Sequence, residues 1–196
     1  MPLSKQGETK AEAEWSPAIR LARRAGGEPM RRPAPVHLWN PADCGAIDIR
    51  IDRDGVWHHE GRRIARPGLV RLFASVLRRE ADGGFALVTP VERLSIEVED
   101  APFLAVDIET ADAPRSLAFL TNLGEVVALD RAHPLRFGGA ADEGFVPYIS
   151  VRPGLEARLT RAVAAELAGL VEERDGVLGV ESAGHFFVIG AADGPA

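Results

Sequence analysis

Apolar residues recur along this chain with two periods, and the change from one to the other marks out its elements. In "AIDIRI" (46–51) Ile47, Ile49 and Ile51 alternate with Asp48 and Arg50, the period of a half-buried strand. "RPGLVRLFASVLRRE" (66–80) changes to the helical period. Leu69, Leu72, Phe73 and Val76 fall at i, i+3, i+4 and i+7, Leu77 widens the stripe, and Pro67 suits a first turn. The glycines of "ADGG" stop that helix. Strands follow in "GFALVTP" (84–90), in "ERLSIEVED" (92–100) with Leu94, Ile96 and Val98 on one face, and in "FLAVDIET" (103–110) with Leu104, Val106 and Ile108 on one face. "SLAFLTNLGEVVALD" (116–130) reads as a hairpin turning near Asn122–Gly124, "GGAADEG" (138–144) as a loop and "FVPYISV" (145–151) as a strand. A second helix is expected over 152–173, apolar at Leu155, Leu159, Val163, Leu167 and Leu170, and a last hairpin over 176–190.

"RPGL" stands at 66–69 and again at 152–155, each time after strands, before an expected helix and ahead of further strands. That order predicts two copies of one unit. The expected fold class is α+β: two similar units, each a curved antiparallel sheet packed around one helix. The first unit takes 33–100 and the second 101–190. Residues 1–32 read as a flexible, solvated tail with one helix at about 11–25, "GGEPMRRPAPV" (26–36) as a linker, and 191–196 as a disordered end.

The densest set of chemical groups is "DRDGVWHHEG" (52–61). "DRDG" has the residues of a type I turn closing a three-residue hairpin loop, with Gly55 where φ must be positive. Ile51 then faces Trp57, Arg50 faces His58 and Ile49 faces His59, which puts Trp57 in the core. The two histidines point to opposite faces, so no metal is expected. Nor does the spacing make a calcium loop, because Arg50 and Gly61 stand where carboxylates are needed. His58 is expected in solvent and His59 half-buried near Trp57.

Composition changes this picture little. The 196 residues are 46% hydrophobic and 27% charged, ordinary globular values. No apolar run approaches a membrane span and the start lacks a signal-peptide core, so a cytoplasmic protein with no membrane partner is expected. The single cysteine, Cys44, excludes an internal disulfide and reads as buried or inert. Charge is uneven: residues 1–32 carry seven Lys and Arg against four Glu, whereas the remainder carries 16 against 25. An acidic body argues against nucleic acid as a partner.

No phosphate-cradling or dinucleotide motif is present, so no cofactor is expected. "GVESAGH" (179–185) has Val180 where a nucleophile elbow needs glycine, and reads as a turn serine, Ser182, near His185. Arg66 and Arg152 stand before the two expected helix starts, where anions are attracted. Ion pairs to strand carboxylates such as Glu92 or Glu97 are the alternative. Tyr148, the only tyrosine, sits in a strand as a pocket wall or a core edge.

The run from Trp39 to Trp57, together with "RLFASVL" (71–77), "LVTPVE" (87–92), "VPYISVRPGLEAR" (146–158) and "GVESAGHFF" (179–187), resembles the bacterial family known as domain of unknown function 1285. The resemblance implies two similar α+β units, no established activity and a suggested role in signalling. Here "RAVAAELAGLV" is alanine-rich where bulkier aromatics would be expected, which implies an altered or smaller pocket beside that helix.

With no assembled catalytic set, the expected function is a non-enzymatic small-molecule- or peptide-binding regulatory module. Its ligand would be a small anion or a protein partner, bound between the units, with Trp57, His59, Arg66, Tyr148 and Arg152 as candidate binding residues. A hydrolase-type enzyme would need convergence among His59, His133, His185, Ser182 and Cys44. A protein-interaction scaffold would show an exposed apolar patch and no pocket. Oligomeric state is left open.

Overall fold

The structure is a computed structural model that describes residues 17–25, 32–112, 115–138 and 146–191. Outside them lie 139–144 of the expected loop, 1–16 and 26–31 of the expected tail and linker, and 192–196 of the expected disordered end. The first unit is a six-stranded sheet: β1 (Asp43–Ile51), β2 (Trp57–His59), β3 (Arg62–Arg63), β4 (Leu77–Arg79), β5 (Phe85–Val88) and β6 (Arg93–Val98), in the order β3-β2-β1-β6-β5-β4. The second is built alike from β7 (Phe103–Asp112), β8 (Arg115–Thr121), β9 (Val126–Ala128), β10 (Leu135–Gly138), β11 (Val146–Arg152) and β12 (Leu155–Leu159), in the order β10-β11-β12-β7-β8-β9. Each sheet is therefore two antiparallel meanders, and the first and last strands of the unit lie side by side in parallel at its centre. The α+β two-unit architecture stands, with this parallel pair as an amendment to the wholly antiparallel sheets expected. A parallel pair cannot be closed by a hairpin and needs a long connection, which here is the rest of the unit.

The helices break the repeat. α2 (Pro67–Ser75) joins the two meanders of the first unit, between β3 and β4. The second unit has no helix there. Its α3 (Arg161–Ala168) follows β12 and leads into a three-stranded sheet, β13 (Glu172–Arg174), β14 (Val177–Ser182) and β15 (His185–Ala191). The second "RPGL" is thus not a helix start. Arg152 ends β11, Pro153 and Gly154 form the corner, and Leu155 begins β12, with Gly154 at φ +73. Leu155, Ala157 and Leu159 are buried and Glu156 and Arg158 are not, a strand's alternation that overrides the helix expected from 152. The helix begins only after Thr160, whose hydroxyl accepts from the backbone N–H of Val163.

α2 also differs in its buried face. Val70 and Ala74 are inside, while Leu69 and Leu72 of the expected stripe are 36% and 41% exposed. The helix ends at Ser75, and Leu77 reaches the core from β4 instead. In β7 the expected face of Leu104, Val106 and Ile108 is interrupted by a bulge between Ala105 and Asp107. The extra residue shifts the phase, so Phe103, Ala105 and Ile108 are buried and Val106 faces out.

One apolar core runs through both units, from Ile51, Trp57 and Ala74 of the first to Phe103, Leu155 and Val163 of the second. The segment at its N-terminal side, expected to be a solvated tail, includes α1 (Pro17–Ala25), which lies against β7, β8 and β9. Leu21 is fully buried there, and Arg20 and Arg24 pair with Glu109 at 2.9 and 3.0 Å. A single inward leucine flanked by arginines matched to an acidic strand accounts for the docking. No helix among the described residues is long and apolar enough to cross a membrane.

Candidate functional site

The site is built from the tip of the first hairpin. Gly55 N–H donates to Asp52 O at 3.0 Å and Asp52 N–H to Val56 O at 3.1 Å, closing the loop expected from "DRDG". The register is Ile51 with Trp57, Arg50 with His58 and Ile49 with His59. Gly55 has φ +71, and a Cβ on it would stand 2.8 Å from Asn122 Nδ2 and 3.1 Å from Leu104 Cγ. The glycine therefore serves the turn and also the close approach of the first unit to the β8–β9 turn of the second.

Beside this approach lies a cavity of about 310 Å³, lined from the first unit by Asp54 to Trp57, Arg63 to Ala65, Pro67, Val70 and Arg71, and from the second by Asn122 and Leu123. Trp57 is 2% exposed and stacks on Phe73 with ring centroids 6.2 Å apart. Its indole Nε1 is buried without a hydrogen-bond partner. Asn122 accepts from Leu104 N–H through Oδ1 at 3.1 Å, which leaves its amide nitrogen with hydrogens to donate. α2 starts at this wall with Pro67, and its N-cap Arg66 makes no side-chain capping bond.

Of the expected binding residues, only Trp57 lines the cavity. Arg66 is exposed one residue from it. His59 is exposed rather than half-buried, because β2 is too short for its outer residue to be covered. The buried role falls to its neighbour. His58, expected in solvent, has its Nε2 2.8 Å from Asp52 Oδ2 with 19% of the side chain exposed. Burial pushes the Asp52 carboxyl up, but the hydrogen bonds from His58 and from Val56 and Asp54 N–H outweigh it and hold the group below its ordinary value.

Tyr148 is 4% exposed in a satellite cluster with Ala101 and Val146. Its hydroxyl donates to Asp100 Oδ1 at 2.9 Å, and Arg136 lies over its ring. Burial and that hydrogen bond push the phenol above its ordinary value. Arg152 does not cap a helix. It pairs with the carboxylate of Glu125 at 2.9 Å, donates to Ala74 O at 3.0 Å across the units and lies over Phe103. Tyr148 and Arg152 hold the units together and do not reach the cavity wall.

The other chemical groups stay apart. Ser182, expected in a turn, is fully buried in β14, where Oγ donates to Leu129 O at 2.7 Å and accepts from Leu117 N–H at 2.9 Å. His133 turns to Asp130 at 3.1 Å. Cys44, expected to be buried or inert, is exposed, because its end of β1 is uncovered. Among the described residues no group of three or more His, Cys, Asp or Glu could hold a metal, and no hydrogen bond joins His59, His133, His185 or Cys44 to one another. A second hollow, of about 330 Å³, lies between β7 and α3, but Glu109 on its wall is already paired with α1. Sequence reasoning missed Arg63, Arg71 and Asn122. The turn at Asn122 was legible, but nothing in the sequence placed it against Gly55.

Two mixed six-stranded sheets sharing one core, joined at an inter-unit cavity, define a two-unit α+β protein. The chain belongs to the DUF1285 family. The domain of unknown function (DUF1285), N-terminal domain, matches residues 34–101, and the protein of unknown function (DUF1285), C-terminal domain, matches residues 102–189. The crystal structure of a DUF1285 family protein from Silicibacter pomeroyi is similar at 44% identity with TM-score 0.78, over 87% of this chain and 94% of that one. A DUF1285 family protein from Shewanella baltica is similar at 29% identity with TM-score 0.51, over 62% of this chain and 90% of that one. No curated protein matches.

Proposed function

We propose that the protein is a non-enzymatic small-molecule-binding module with a regulatory or signalling role, and that its binding site is the inter-unit cavity. The observation that carries this reading is a hollow of about 310 Å³ walled by both units. That volume falls in the range of small-molecule sites, which favour such junctions. A ligand held there would touch the hairpin of one unit and the turn of the other, so occupancy would change how firmly they are held together. The exposed thiol of Cys44 supports a reducing, cytoplasmic setting.

Native mass spectrometry of the protein purified gently from its own cells tests the reading. The expected result is a reproducible extra mass of small-molecule size, lost in Ala65→Trp, whose side chain would fill the cavity from an exposed position. A bare chain in repeated preparations, or an extra mass retained by Ala65→Trp, overturns it. A second polypeptide in place of a small molecule would favour a scaffold.

A further inference from the structure

We infer that the face of β7 beneath α1 is a docking site for a basic amphipathic helix of a partner protein, and that α1 is its exchangeable occupant within the chain. The partner helix carries the pattern of α1: a buried leucine with an arginine one residue before it and another three residues after. The inference is independent of the inter-unit cavity. Pro17 and Leu21, one helical turn apart, are both buried against the sheet, while Ala22 and Arg24 are exposed. Arg20 donates through Nε to Glu109 at 2.9 Å and through a terminal nitrogen to Thr110 O. Arg24 reaches Asp107 at 2.8 Å and Glu109 at 3.0 Å. The strand therefore receives one apolar side chain and two cations at a fixed spacing.

Two observations make the occupant exchangeable. The first is how lightly α1 is held. Its nine residues are too few to stay helical alone, so docking must offset the ordering of the whole segment. Against that stand the burial of Leu21 and ion pairs whose arginines remain 34% and 55% exposed, and pairs so exposed contribute little. β7, by contrast, is paired on both sides, with β8 and with β12, so α1 opens before the sheet does. The second is room that α1 does not fill. The hollow of about 330 Å³ between β7 and α3 shares Glu109 and Thr110 with the arginine contacts and is walled further by Ile108, Leu170 and Glu166. The Glu166 carboxylate makes no ion pair among the described residues. A competing helix can set an apolar side chain against Ile108 and Leu170 and a cation on Glu166. Asp107, Glu109 and Glu166 together select a basic helix over an acidic one.

The test uses the full chain and a fluorescein-labelled peptide of residues 15–27, followed by fluorescence anisotropy. Tethered α1 competes at an effective concentration on the order of millimolar, so the parent chain should bind the peptide with an apparent Kd near that value. Leu21→Asp, which withdraws the chain's own helix, should bind it about tenfold more tightly or better, because that competition is gone. The double variant Arg20→Ala and Arg24→Ala should shift binding in the same direction without placing a charge in the core. A peptide carrying Leu21→Asp should not bind. Glu109→Arg, added to Leu21→Asp, should weaken binding of the unaltered peptide about tenfold, by setting like charges together. Equal binding by the parent and both variants, no binding to either variant, or indifference to Glu109→Arg each overturns the docking site. No binding by the parent even well above the effective concentration would make α1 a fixed part of the fold and overturn the exchange. Sedimentation supplies the last control: a parent chain that dimerises while Leu21→Asp stays monomeric would put a second copy's α1 on the site and overturn the separate partner.

Discussion

Arg66–Leu69 and Arg152–Leu155 have the same four residues and opposite fates. In the first, Pro67 opens a helix whose Val70 and Ala74 turn inward, and Leu69 is left partly in solvent. In the second, Pro153 and Gly154 turn a hairpin and Leu155 is 2% exposed. What differs is the sequence that follows. "VRLFAS" places small and apolar residues one helical turn apart, whereas "EARL" continues an alternation begun at Leu155. Proline followed by glycine is compatible with both outcomes and decides neither. The surroundings then give the two arginines separate work: Arg66 stays exposed beside the cavity, and Arg152 locks one unit to the other.

This contrast can be broken at four places, in descending order of effect. Arg152→Ala should destabilise the fold by about 3 kcal/mol, since it strands Glu125 and uncaps Ala74 O in a site where Arg152 is only 11% exposed. Arg66→Ala should stay within about 0.5 kcal/mol. Chemical denaturation of the two variants measures the gap, and equal effects would mean that the arginines are equivalent after all.

The glycines should separate next. Gly154→Ala meets both a positive φ and Arg79 Cβ at 2.7 Å, and should cost about 2 kcal/mol. Gly68→Ala has open space and a helical backbone, and should be neutral or stabilising by up to about 1 kcal/mol. Opposite signs in melting temperature are the expected readout.

The helix starts differ by a smaller amount. Thr160→Ala removes the cap of α3 and should cost about 1 kcal/mol. Arg66→Ser would supply α2 with the cap it lacks, in an extended conformation suited to it, and should gain about 0.5 kcal/mol.

The smallest effect is acid dependence. Asp52 in the first unit and Asp130 in the second each accept from a histidine and from backbone N–H groups. Each is held below its ordinary value, because those bonds outweigh the opposing effect of burial. A carboxyl depressed on folding stabilises above its unfolded value, near 4, and that contribution disappears as pH falls through the folded value. Stability measured from pH 6 to pH 2 should fall less steeply in Asp52→Asn and Asp130→Asn than in the parent chain.

Much of this architecture could be read in advance wherever local chemistry allows one geometry. The "DRDG" loop admits one register, and that register alone buries Trp57 and separates the histidines. Alternation gave β6 for the same reason. Features that depend on distant neighbours were not legible. The bulge at Val106 re-phases β7 with no glycine or proline to announce it. The parallel pairing of β1 with β6 has no local signal. α2 buries Val70 and Ala74 instead of its leucines because those two join the core shared by both units. The cavity was the least legible feature, since Arg63, Arg71 and Asn122 are ordinary surface residues until Gly55 draws the two units together.

The central parallel pairs also bear on how this chain is made. β1 leaves the ribosome with one side unmatched, and its partner is not available until synthesis has passed from Ile51 to Arg93. β7 waits in the same way for Leu155. Each nascent unit therefore offers an open β edge bearing isoleucine or phenylalanine for most of its own synthesis, the kind of surface that chaperones hold and that aggregates when they do not. A chain terminated just before β6 or β12 would leave that edge permanently open.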